Sequence, residues 1–170
     1  MAGFHDHITE EQAELLRGAP LFFVGSADPR LADGPDGTGA VNVSPKGGVS
    51  LHIVSPNRIA YVDASGSGNE TARHASAGGP VTVMVCSFEA GDAAIVRLYG
   101  HARATPLSES PLAAQLVAGA PELMSSPRQV IEVTVERTMT SCGYGVPVMT
   151  KQRERGRQDR GRRYKGPVRG

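Results

Sequence analysis

The chain has 170 residues, a mean hydropathy of −0.23 and a formal net charge of +1 at pH 7. That length suits one domain with its own core, and no stretch approaches the ~18 apolar residues of a membrane span. The opening residues, MAGFHDHITEEQ, carry acids and lack the apolar run of a secretory signal. Cys86 and Cys142 have no metal-ligand spacing, so no metal is expected and a reducing, cytoplasmic setting is.

The net charge hides an asymmetry. Residues 151–170, KQRERGRQDRGRRYKGPVRG, hold nine Lys or Arg against Glu154 and Asp159, a balance of +7; a total of +1 therefore leaves −6 on residues 1–150. With almost no apolar side chains, this segment cannot bury a core and reads as a disordered, solvated tail. Nucleic acid is not the expected partner, because the body is acidic and lacks the stacked aromatics of single-strand platforms.

In chain order, Thr9-Glu-Glu-Gln12 fits a capping box, and Ala13, Leu15 and Leu16 give a short amphipathic helix ending near Gly18. Leu21–Val24 reads as a buried strand, and Asp28–Gly39 as a Pro/Gly/Asp loop. Ala40–Ser44 and Val49–Val54 alternate apolar and polar residues on either side of a turn at Pro45–Gly48. After a turn at Ser55–Asn57 comes a strand over Arg58–Asp63. It enters the small polar loop Ala64-Ser-Gly-Ser-Gly68, which opens into a helical segment, Asn69–Ala75. Val81–Cys86 is a β-branched strand. Ala93–Ala104 is a long one, with Gly100 at its middle marking a bend or bulge. A second helix is predicted over Ser108–Val117 and a last strand over Gln129–Val135. Six or seven short strands with turns about every ten residues argue for an antiparallel barrel or sandwich. The domain plan is an N-terminal helix to residue 19, a β domain over 20–150 and the tail.

The loop before the Asn69 helix carries chemistry. Gly66 and Gly68 permit a tight turn and close approach. Ser67, Asn69 and Thr71 offer short polar side chains where a helix leaves its first N–H groups unpaired. With the dipole and Arg73 nearby, the arrangement fits a phosphate. It is equally what a capped helix after a Gly-rich turn looks like. Thr71 stands where a dinucleotide fingerprint needs its third glycine, which sets a Rossmann reading aside. Two cations sit on or beside apolar strands, Lys46 and Arg97. Each needs a partner, either a carboxylate such as Asp63 or Glu89, or a bound phosphate or electron-rich ring system.

Four segments recur together: Asn42-Val-Ser-Pro-Lys-Gly47, Ile59–Thr71 with His74, Arg97-Leu-Tyr-Gly100, and Ser141-Cys-Gly-Tyr-Gly-Val-Pro147. In this combination the chain, over about residues 20–150, resembles the pyridoxamine 5'-phosphate oxidase-like split-barrel family. The resemblance implies a six-stranded antiparallel split β-barrel with two or three small helices. It also implies a homodimer with FMN in a cleft at the subunit interface, and oxidoreductase activity on a small-molecule substrate. Carried over by position, Tyr61, Ser67, Asn69 and Thr71 belong to the phosphate segment, and Ser44 and Lys46 run beside the ring and ribityl chain. Arg97 lies in the cleft, and Ser141 and Cys142 close its far edge. No catalytic acid or base stands out, since flavin carries the chemistry; His74 and His101 read as surface residues.

Two departures narrow this. The chain has no Trp and no histidine after His101, unlike the pyridoxamine oxidases proper, so that substrate is not expected. The helix that follows the SCGYGVP segment in relatives is replaced by the basic tail. The same barrel could instead carry the deazaflavin F420 or haem, with His52, His74 or His101 as axial ligand.

Overall fold

The computed structural model describes residues 2–66, 68–118, 126–156 and Asp159. Its strands are β1 (Gly3–His5), β2 (Leu21–Ala27), β3 (Val41–Gly47), β4 (His52–Ser55), β5 (Arg58–Ala64), β6 (Pro80–Cys86), β7 (Ala94–Pro106) and β8 (Pro127–Cys142). Its helices are α1 (Glu10–Gly18), α2 (Glu70–Ser76) and α3 (Ala113–Ala118). All pairings are antiparallel, in the order β3-β2-β6-β7-β8-β5-β4, with β1 added along β8. The predicted antiparallel split barrel is the fold, built with eight described strands rather than six.

Period-2 alternation decides what goes inside. Phe22 and Val24, Ile59 and Tyr61, Val81, Val83 and Val85, Val96 and Leu98, and Ile131, Val133 and Val135 point inward and form one core. The opposite face of β5 and β8 is apolar too. Ala60, Val62 and Val130 pack there beneath Leu116 of α3, so β5 is buried on both faces from Ile59 to Val62.

The capping box is formed as the sequence predicts. Thr9 Oγ1 accepts from the Gln12 backbone N–H (3.3 Å), and Gln12 Oε1 accepts from the Thr9 backbone N–H (3.1 Å). Gln12 Nε2 also donates to Thr140 Oγ1 on β8 (3.0 Å), docking the helix while Ile8, Ala13 and Leu16 enter the core. Thr9→Ala removes one cap acceptor and is expected to cost about 1 kcal/mol, read as a lower urea midpoint with an unchanged slope.

Three element boundaries differ from the sequence reading. Residues 108, 109, 111 and 112 are turns, and helix begins only at Ala113; Pro111 disfavours the helical conformation at Ser110 before it. β4 begins at His52 rather than Val49. β8 runs on through Glu136–Cys142, a polar stretch with no alternation to read. Hydrogen bonding to β7 and to β1 carries it. Gly100 does mark a bulge: Tyr99 faces Arg137 but Gly100 faces Val135, leaving Glu136 as the extra residue.

Candidate functional site

β3 turns one edge of its alternation inward. Val41, Val43, Pro45 and Gly47 are exposed, while Asn42, Ser44 and Lys46 are half-buried on the other side. The Asn-Val-Ser-Pro-Lys motif therefore presents every second residue to α2 and the end of β5. Asn42 Nδ2 donates to Thr71 Oγ1 (3.4 Å), and Lys46 Nζ donates to Asp63 Oδ1 (2.8 Å). The carboxylate partner of Lys46 is thus Asp63. Beneath Lys46, whose Nζ lies 5.8 Å from the ring centre, Tyr61 packs edge-to-face on Phe22 at 5.2 Å.

Asp63 is the hub. Its Oδ2 accepts from Gln129 Nε2 (2.9 Å) and Arg128 Nη2 (3.2 Å), and the same two donors reach Asn69 Oδ1 at 2.8 and 2.6 Å. Burial pushes the Asp63 carboxyl up. Lys46, Gln129 and Arg128 together pull it further down, so it lies below the ordinary carboxylate range. Around this cluster three buried polar atoms have no hydrogen-bond partner among the described residues: Ser44 Oγ, Tyr61 Oη and Arg128 Nε. Burial, then the adjacent Asp63 charge, push the Tyr61 phenol well above its usual value, so it stays protonated and remains a donor.

The loop entering α2 has the conformation that glycine was expected to allow. Gly68 has φ +95, and a Cβ there would fall 2.1 Å from Glu70 Oε2. Asn69 is at the N-cap, but in a left-handed conformation (φ 55) and without a side-chain cap bond. Its amide oxygen is taken by Arg128 and Gln129, which leaves its amide nitrogen free to donate. Thr71 accepts from Asn42, so its own hydroxyl proton is likewise available. Ser67 lies outside the described residues.

The remaining expected residues fall elsewhere. Tyr61 is 0% exposed and belongs to the core. Arg97 and Ser141 are brought together, Nη1 to Oγ 3.1 Å, but on the outer face of the sheet. There Phe23, Met84, Arg97 and Met139 lie in one register row across four strands. Cys142 is exposed at the end of β8, and Cys86 is buried with its thiol pushed up by burial.

His74 corrects the surface reading. It is fully buried on α2, with Nδ1 at 2.9 Å from Ser26 Oγ and Nε2 at 3.3 Å from Arg73 Nη2. The guanidinium can only donate, so Nε2 accepts and Nδ1–H donates to Ser26. His101 is exposed as expected and meets Glu136 at 2.9 Å. His52 is half-buried, and burial lowers its pKa. No group of three or more His, Cys, Asp or Glu that could hold a metal occurs among the described residues. None of their helices is long and apolar enough to cross a membrane.

Arg128 and Gln129 are the residues of this cluster that sequence reasoning missed. Nothing local marks them. Only the β5–β8 register, which sets Gln129 opposite Asp63, puts them at the site. Beside this cluster opens a cleft of about 750 Å³, lined by Lys46, Asp63, Val62 and Phe88 and by residues 149–151 and 153–155.

Comparison with known proteins agrees with the architecture. The pyridoxamine 5'-phosphate oxidase family model matches residues 8–142. The pyridoxamine 5'-phosphate oxidase family protein ustO of Aspergillus flavus is 33% identical over 148 residues, covering 86% of this chain. This chain spans only 56% of that relative's length. Among solved structures, HupZ of Group A Streptococcus superposes with a TM-score of 0.56 at 21% identity, covering 77% of this chain and 91% of the other. The FAD binding protein from Mycobacterium smegmatis gives 0.52 at 13% identity, covering 81% and 97%. At these identities the two structures speak for the fold alone. The family match over residues 8–142 speaks for descent, and on it the chain belongs to the pyridoxamine 5'-phosphate oxidase family.

Proposed function

We propose that this chain binds FMN at the Lys46–Asp63 cluster and works as a flavin-dependent oxidoreductase on a small-molecule substrate. The observation that carries the reading is the pair of buried polar atoms without a partner among the described residues around that cluster, Ser44 Oγ and Arg128 Nε. Buried polar groups are seldom left without partners, and a ligand with several acceptor atoms would satisfy them. Family membership makes flavin the natural candidate, and one fold neighbour is itself an FAD binding protein.

The residues present fit such a ligand. Lys46 brings a cation held in place by Asp63, while Asn69 Nδ2, Thr71 Oγ1 and Arg128 Nε–H are donors suited to phosphate and ribityl oxygens. When bound, flavin supplies hydride or single-electron transfer; the protein supplies binding, orientation and electrostatics. The Lys46 ammonium, although paired with Asp63, keeps N–H donors for a ring placed beside it, which favours the more negative, reduced form. The partly covered apolar row Phe23–Met84–Met139 around Arg97, on the face of the sheet opposite Lys46, is the face we assign to a second subunit.

The test is an absorbance spectrum of freshly purified protein, then titration with FMN, with FAD in parallel. Flavin bands, or tight quenching of added FMN, are expected. Lys46→Ala, and separately Thr71→Ala, should each weaken FMN by about 1–3 kcal/mol per lost charge-assisted bond. A colourless protein that quenches neither flavin would overturn the assignment, and a Soret band would replace it with haem.

A further inference from the structure

Residues 149–151 and 153–155 run along the cleft that holds Lys46 and Asp63. Here the start of the basic segment is a wall of the candidate site. Its path is pinned to the body where the Met149 backbone N–H donates to Phe88 O (3.0 Å). The Glu154 carboxylate lies beside Gly48 in the same cleft. Its own charges shape the rest. Lys151 pairs with Glu154. Arg153 grips both oxygens of Asp159 at 2.6 and 3.0 Å, and Asp159 Oδ2 also accepts from the Gly156 backbone N–H (2.8 Å). Arg155 is exposed and makes no ion pair among the described residues.

Without this strap the cleft would be apolar and close to neutral. The body contributes Pro20, Leu21, Val49, Val62 and Phe88, and its one cation, Lys46, is matched by Asp63. Residues 1–150 carry a net −6, which repels anions at long range. Lys151, Arg153 and Arg155 exceed their acidic neighbours Glu154 and Asp159 by one charge, with Arg155 the cation outside an ion pair among the described residues, and so reverse that sign at one place, inside a concavity where low-dielectric walls strengthen the field. An apolar floor with a cationic rim recognises a small molecule with both characters.

We infer that residues 149–155 form a specificity wall selecting a small anion with an apolar body, a carboxylate or a phosphate ester, as the second ligand of this cleft. Naming that ligand the substrate rests on the flavin reading; the wall's preference for anions does not.

The experiment is calorimetric titration of the full chain with benzoate, phenyl phosphate and the neutral isostere benzamide, each with and without saturating FMN. At least one anion should bind about tenfold more tightly than benzamide, as expected of two half-exposed charges acting together, and less so at high salt. In Lys151→Gln/Arg155→Gln that preference should fall about tenfold, and in Arg155→Gln alone about threefold, with FMN affinity within about twofold of the parent. Whichever anion is preferred identifies the headgroup. Equal binding of anion and isostere, no binding of any probe, or an unchanged preference in the double variant overturns the wall. If FMN fails to bind while an anion is still preferred without it, the flavin reading falls and the wall stands.

Discussion

Asp63→Ala is expected to lower stability by about 3 kcal/mol and to abolish tight binding at the site together. Asp63 is 14% exposed and faces Lys46 and Arg128, which are 20% and 32% exposed. Removing the carboxylate takes the partner from Lys46 and leaves Arg128, a second partly buried cation, and the Gln129 amide with Asn69 Oδ1 alone. Breaking a buried pair from one side costs about 3–5 kcal/mol, and partial exposure places this case at the low end. Urea melts of Asp63→Ala, Lys46→Ala and the double variant would show it: the double variant should be less destabilised than the two single losses added, because the cation stranded by one is removed by the other.

The pH dependence has a fixed sign. The folded-state pKa of Asp63 lies below its unfolded value, so the unfolded chain takes up the proton first on acidification. The stabilisation is complete above the unfolded value of about 3.9 and disappears as the pH falls through the folded value. Parent and Asp63→Asn should therefore differ most near neutrality and converge in acid. Parallel stability curves down to acid pH would show that Asp63 is not the coupled group.

Gly100→Ala is the second large effect, and it acts through the backbone. A Cβ on Gly100 would sit 1.9 Å from Thr134 O, 3.0 Å from Thr134 C and 3.3 Å from Val135 Cα. All three are main-chain atoms of β8, where the bulge at Glu136 presses it towards β7, so no side chain can swing aside. The long β7–β8 pair must shift to admit even one methyl, at a cost of about 3 kcal/mol. Gly145→Ala, where nothing lies within 4 Å, is the matched control and should be near neutral. Equal urea midpoints for the two variants would mean the strands relax at little cost.

The candidate site divides along the same line. Lys46 and Thr71 could be singled out from their residue types and surroundings and Ser44 only through the family resemblance, and β3's alternation keeps Ser44 and Lys46 on one side. Asp63 was visible only as one of two carboxylates able to reach Lys46. Arg128 and Gln129 had no local signal, since two polar residues at the start of a strand resemble any exposed edge. His74 misled for a related reason. A histidine in a short, polar helix looks solvated until Ser26, 48 residues away, and the neighbouring Arg73 take both ring nitrogens and bury it.

What the sequence determined by itself was everything written at short range. It determined the period-2 apolar runs that make the strands, the Thr9–Gln12 cap, the glycine that the left-handed turn at Gly68 requires, and the charge asymmetry of residues 151–170. The tertiary structure decided what depends on register and on distance through space. It decided that β8 continues through polar residues because β7 and β1 pair with it, and that Arg97 faces outward while Lys46 faces in. It also decided that the basic segment begins as the wall of a cleft. The physical reason is common to all three. Propensity, capping and turn chemistry act between neighbours in the chain, whereas hydrogen-bond ladders and ion pairs join residues whose separation no local pattern records.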